Sequence, residues 1–150
     1  MKSATIYKVG DKFYLIHSDV KTASGFWIAH KPFFNIPQNS SENIISASIK
    51  DALGHDDNIR TPDPQDWSMF NREFLVQSGI KTSSILYKNT TKNIAVAVQD
   101  DLIVFIPTRH AEKPDRGFVH KSQEEAISVS YSASPDDIVA AMRLAFSRCD

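Results

Sequence analysis

Cysteine is almost missing from this chain: Cys149 is the only one in 150 residues. A single thiol cannot close an internal disulfide, so nothing in the sequence points to an oxidising compartment. Glycine is scarce too, at five residues, which leaves little to build a phosphate cradle. Neither G-x-x-x-x-G-K-[ST] nor G-x-G-x-x-G occurs, and no serine sits in a G-x-S-x-G elbow. The longest apolar runs, residues 102–106 among them, are five residues and fall far short of a membrane span. Met1-Lys2-Ser3-Ala4-Thr5 leads directly into a strand-like pattern and lacks the apolar core of a signal peptide. No lysine or arginine run exists, and 17 basic against 18 acidic residues leave a net charge of −1. Nucleic-acid binders draw most of their affinity from phosphate neutralisation and so carry a basic excess. The expectation is a cytoplasmic protein with no membrane, nucleic-acid or cofactor partner.

What is present is enough apolar residue, at 41%, for one domain over residues 1–150 to bury a core without metal or disulfide. Residues 4–9 and 13–18 read as two strands joined by a two-residue II′ turn at Gly10-Asp11. A third strand is expected over residues 25–30, with Pro32 and Pro37 ending regular structure around Phe33-Phe34-Asn35-Ile36. Asn39 or Ser40 then opens a helix. Asn39 stands three residues before Glu42, the spacing of a capping box, and Ile45, Ile49, Ala52 and Leu53 recur at helical spacing up to Gly54. Residues 55–64 are polar. A second helix is expected from Pro64, capped by Asp63, with Trp67, Phe70 and Phe74 on its buried face and Gly79 at its end.

The period then changes. Residues 84–88, 94–99 and 102–107 read as a β-meander with turns at residues 89–93 and at Asp100-Asp101. Leu102 to Ile106 is apolar on both faces, as an inner strand would be. Residues 108–117 form a charged loop, and Ile127, Val129 and Tyr131 alternate with serines as a strand with one wet face. Ser134 caps the final helix, Pro135 occupies its first position, and Asp136 and Asp137 complement the dipole. The order predicts an α+β fold: an antiparallel (mixed) sheet with an N-terminal hairpin, two central helices, a β-meander and a C-terminal helix.

Candidate chemistry is thin. The histidines, at 17, 30, 55, 110 and 120, show no metal-ligand spacing. A histidine-dependent nuclease built on His110, Lys121 and His120 is one alternative, because His110 and His120 flank a single loop and could meet across its ends. A non-catalytic subunit of another cytosolic complex is another. Cys149 lies in the last helical turn, where the dipole disfavours a thiolate. Acidic doublets recur at Asp56-Asp57, Asp100-Asp101, Glu124-Glu125 and Asp136-Asp137. Exposed carboxylates are the chemistry that meets a basic partner and selects among partners. With Arg109, Glu112 and Asp115 in the charged loop, Asp100, Asp101, Glu124 and Glu125 make the candidate contact set, expected to lie near one another.

These pieces have a familiar order. The sequence resembles the CdiI-type immunity proteins of bacterial contact-dependent growth inhibition systems. The likeness lies in residues 22–29 (Thr-Ala-Ser-Gly-Phe-Trp-Ile-Ala), in the helix over residues 44–53, in Pro107-Thr108-Arg109, and in Gly117-Phe118-Val119-His120. It resumes from Ser134-Pro135-Asp136-Asp137-Ile138 to Ala145-Phe146-Ser147-Arg148-Cys149. The resemblance implies a cytosolic monomer that binds the C-terminal toxin domain delivered by a neighbouring cell, in a 1:1 complex. Such toxins are often nucleases, RNases among them. The family carries no catalytic residues, and its toxin contacts vary with the toxin.

Overall fold

The structure is a computed structural model that describes residues 2–54 and 60–150. His55 and the doublet Asp56-Asp57 lie outside the described residues. Seven strands, β1 (Ser3–Val9), β2 (Phe13–Lys21), β3 (Trp27–Pro37), β4 (Thr91–Gln99), β5 (Leu102–His110), β6 (Phe118–His120) and β7 (Ile127–Ser130), form one sheet. Its order is β3-β2-β1-β4-β5-β6, with β7 beside the other half of β5, and every strand pair is antiparallel. With helices α1 (Glu42–Ala52), α2 (Trp67–Ser78) and α3 (Pro135–Ser147), this is the expected α+β class with its N-terminal hairpin and C-terminal helix.

The strands alternate, and that alternation sorts the molecule into two layers. On one face Ala4, Ile6, Tyr14, Ile16, Ile94, Val96, Ile103 and Phe105 meet Ile45, Ile49 and Ala52 of α1 and Ile138, Met142, Ala145 and Phe146 of α3. Each fully buried aliphatic there contributes about 1.5–3 kcal/mol, so this layer holds the fold. The second face is covered only in part. Val9, Leu15 and Leu86 form a smaller cluster with Tyr7, Phe13 and Phe74, the last supplied by α2.

Several expected boundaries move, each for a physical reason. The first hairpin pairs Val9 with Phe13, so its loop is Gly10-Asp11-Lys12 rather than two residues, with Gly10 at φ +53°. β3 runs through Pro32 and Pro37 because it is an edge strand. The register jumps there from His17 opposite Phe33 to Ser18 opposite His30, so Pro32 sits in a bulge where no ladder N–H is required. Ser41, not Asn39 or Ser40, caps α1 by accepting the Ile44 N–H. Asp66, not Asp63, caps α2 by accepting the N–H groups of Ser68 and Met69. Asp63 instead binds Ser24 across the β2–β3 turn, beside a bridge between Thr22 and Thr61.

The expected strand at residues 84–88 is a 3-10 turn, Ser83–Tyr87, that drops Leu86 into the small cluster. β4 starts early at Thr91, since β1 offers partners as far as Val9. β5 runs on to His110 and pairs with β6, which shortens the charged loop to residues 111–117. Tyr131 falls in the turn after β7 and is 37% exposed. The Asp100-Asp101 turn and the Ser134 cap are as expected: both aspartates have positive φ, 48° and 64°, and the Ser134 side chain accepts the Asp137 N–H.

Candidate functional site

The partly covered sheet face is where the molecule presents recognition chemistry. α2 shields the β2–β3 end, and the 3-10 turn lies over β1 and β4, leaving between them a hollow of about 440 Å³. Its floor is Thr5, Tyr7, His17 and Asp19, and its rim carries Trp27, Trp67 and Tyr87, exposed by 46, 48 and 39%. Trp67 is thus a rim residue rather than the core residue its helical stripe suggests. It stands edge-on to Phe70, and Phe74 alone of the three reaches inward, against His17 and Phe33.

The floor is polar because of strand period. Thr5 and Tyr7 in β1 face the same way as His17 and Asp19 in β2, and Thr5 stands opposite His17 in the register. The Thr5 hydroxyl donates to Asp19 Oδ2 at 2.6 Å, and His17 Nδ1 lies 3.4 Å from Asp19 Oδ1. The same Nδ1 is 3.0 Å from the Ser18 carbonyl, and a carbonyl only accepts, so this nitrogen carries a proton. His17 is 4% exposed, whereas the Asp19 side chain keeps 19% of its surface open. Burial pushes the Tyr7 phenol far above its ordinary range, with Tyr87 and Asp19 adding to the rise and the Asn93 side chain opposing it. The face continues across Ala95 and Ala97 of β4 to Ile106 and His120 in a second hollow that shares Thr5, Asp19 and Trp27. Small alanine side chains keep it flat.

The seven residues expected to meet a partner fall at three stations along β5. Asp100 and Asp101 are exposed at the tip of the β4–β5 turn. Arg109, Glu112 and Asp115 are exposed together at the far end of β5 and in the loop beyond it, where Asp115 N–H closes on the Glu112 carbonyl. Leu102 and His110 bound β5, so about 26 Å separates these ends at ~3.3 Å per residue. Glu124 and Glu125 sit between them, in a short 3-10 turn next to the end of α3, where Arg148 donates to the Glu125 carbonyl. The charged-loop trio is joined to the hollow, since Arg116 lies 4.6 Å from the Tyr87 ring centre. The other two stations are not.

The histidine–lysine centre is not assembled. Lys121 Nζ donates to the Arg148 carbonyl at 2.6 Å and lies 3.0 Å from Asp150. His110 packs on Phe118 at 4.8 Å, two pairs further along the ladder than His120, which stands opposite Thr108. Cys149 is buried, its Sγ aimed at the carbonyls of Asn93 and Ala145, and burial raises its pKa. Among the described residues no three His, Cys, Asp or Glu side chains converge as a metal site would need. No described helix is long and apolar enough to cross a membrane.

The sequence expectation missed the hollow. Its trace was present in Thr5, His17 and Asp19, polar residues at strand period on one face of the first two strands.

Two solved structures share this fold. A protein of unknown function from Neisseria meningitidis superposes with a TM-score of 0.71 at 17% identity, over 99% of this chain and 95% of its own. A toxin and immunity complex, CdiA-CT/CdiI, from Yersinia pseudotuberculosis contains a chain that matches with a TM-score of 0.71 at 22% identity, over 99 and 97%. A curated sequence relative, the immunity protein CdiI-YPIII of Y. pseudotuberculosis serotype O:3, is 32% identical over 78 residues. That stretch is 52% of this chain and 44% of the relative, so the match spans less than half of the relative's length. The profile of the CdiI family, described as CDI immunity protein, matches residues 2–149. The chain belongs to the CdiI family of contact-dependent growth inhibition immunity proteins.

Proposed function

We propose that this protein acts in the cytoplasm as a monomer that binds the C-terminal domain of a cognate toxin and neutralises it in a 1:1 complex, making and breaking no covalent bond itself. The family match over residues 2–149 carries this reading. Two features of the surface support it. The rim of Trp27, Trp67 and Tyr87 supplies the half-exposed aromatic residues that dominate binding energy at protein interfaces. The adjoining Arg109, Glu112 and Asp115 supply charge that raises association rate and selects the partner. A standard interface buries about 800 Å² per partner, a disc of roughly 16 Å radius. Centred on the hollow and its adjoining loop, that footprint is furthest from Asp100 and Asp101, about 26 Å along β5 from the loop. Glu125 already meets Arg148 and Lys121, and its turn with Glu124 belongs to the margin.

The nuclease character of the toxin belongs to this proposal through the family resemblance, and the exposed carboxylates Glu112 and Asp115 fit a basic nuclease surface. The test is growth. Cells that express the toxin domain encoded beside this gene should stop growing, and co-expression of this chain should restore them. Arrest that persists with abundant folded immunity protein rules the reading out. Triple reversal of Arg109, Glu112 and Asp115 should lower protection, while reversal of Asp100 and Asp101 should leave it intact.

A further inference from the structure

We infer that the Asp19 carboxylate, at the floor of the aromatic-rimmed hollow, receives an arginine side chain of the toxin domain. The inference rests on the neutralising function proposed above and names the group that its central pocket takes.

Three observations converge on a guanidinium. The first is charge. Asp19 accepts from Thr5, and His17 Nδ1 lies 3.4 Å away with its proton directed to the Ser18 carbonyl, so most of the roughly four acceptor positions of the carboxylate stay open. Among the described residues no lysine or arginine is ion-paired with it. The free protein tolerates this because the side chain keeps 19% of its surface in water. A partner that covers the hollow removes that water, and a carboxylate buried without a cation is costly. A toxin that brings a cation to this carboxylate offsets that cost.

The second is the walls. Trp27, Trp67 and Tyr87 present rings to the hollow, and a planar guanidinium stacks on aromatic faces while its fork of donors reaches a carboxylate. Two of the chain's own cations already use this rim: Lys21 Nζ lies 5.4 Å from the Trp27 ring centre and Arg116 4.6 Å from that of Tyr87. The third is size. A hollow of about 440 Å³ lies within the range that holds a small ligand, so one long side chain enters without displacing the floor.

The experiment is a double-mutant cycle with the purified toxin domain. Each toxin arginine is changed to glutamine, and affinity is measured against the wild-type immunity protein and Asp19→Asn, which keeps the shape of the floor. The expected result is one toxin arginine whose replacement weakens binding to the wild type by about 30-fold or more. The same replacement should cost only a few-fold once Asp19 is asparagine. Wild-type protein that binds the toxin, with no arginine coupled to position 19, overturns the inference and leaves the function standing. Absence of any binding overturns both. Should Asp19→Asn fail to fold, the cycle is run with Trp27→Ala, whose ring is 46% exposed and outside the core. Coupling of one arginine to Trp27 then supports the assignment, and coupling of none refutes it.

Discussion

Replacing Thr5 by valine removes one hydroxyl from the floor of the hollow and keeps the branched shape of the side chain. That hydroxyl donates to Asp19 Oδ2 at 2.6 Å, a short bond to an ionised acceptor in a partly buried setting. Hydrogen bonds to charged groups contribute about 1.5–3 kcal/mol, and the 19% of the Asp19 side chain still open to solvent lowers this to about 1–2 kcal/mol. The Thr5→Val protein should therefore melt roughly 2–8 °C lower, at the 2–4 °C per kcal/mol expected of a chain this size. Urea unfolding of the wild type, Thr5→Val, Asp19→Asn and the double variant separates the bond from the side chains that make it. A coupling of about 1 kcal/mol or more is expected. Strictly additive losses would show that the Thr5–Asp19 bond contributes nothing to stability and refute that magnitude.

Phe105 is fully buried where β5 meets α3, and Phe105→Ala should cost about 3–5 kcal/mol in urea unfolding, much of a domain's stability. Asp100 and Asp101 both hold positive φ in the β4–β5 turn, so Asn-Gly in their place should raise stability by about 1 kcal/mol without altering toxin affinity. Asp63 accepts from the Ser24 hydroxyl and backbone N–H and then from Thr22, which lowers its pKa. A depressed carboxylate stabilises above its unfolded value and loses that contribution as pH falls through the folded one. Asp63→Ala should therefore melt below the wild type at neutral pH, and the two curves should converge in acid below the ordinary aspartate range.

The parts of the fold legible in the sequence are those fixed by local chemistry. Ser134-Pro135 announces α3 because a cap and a first-position proline are decisions of four or five residues, and the Asp100-Asp101 turn is set by two. What stayed hidden depends on partners distant in the chain. Pro32 looks like a terminator until β3 is known to be an edge with a bulge, where a missing N–H is harmless. Trp67 sits on a helical stripe that reads as core, yet α2 covers only one end of a sheet face and leaves the ring at the rim. The acidic residues are close in sequence and far apart in space because β5 is a straight rod of nine residues between them. The hollow itself needs Trp27, Trp67 and Tyr87 brought over the first hairpin from three separate elements, which no window of local sequence contains.

The central claim is that neutralisation is stoichiometric. A fixed amount of toxin domain, titrated with this protein while its activity is followed, should lose activity in a straight line that reaches zero at one molar equivalent. Complete inactivation by a hundredth of an equivalent, or full activity at a tenfold excess of folded protein, would contradict it.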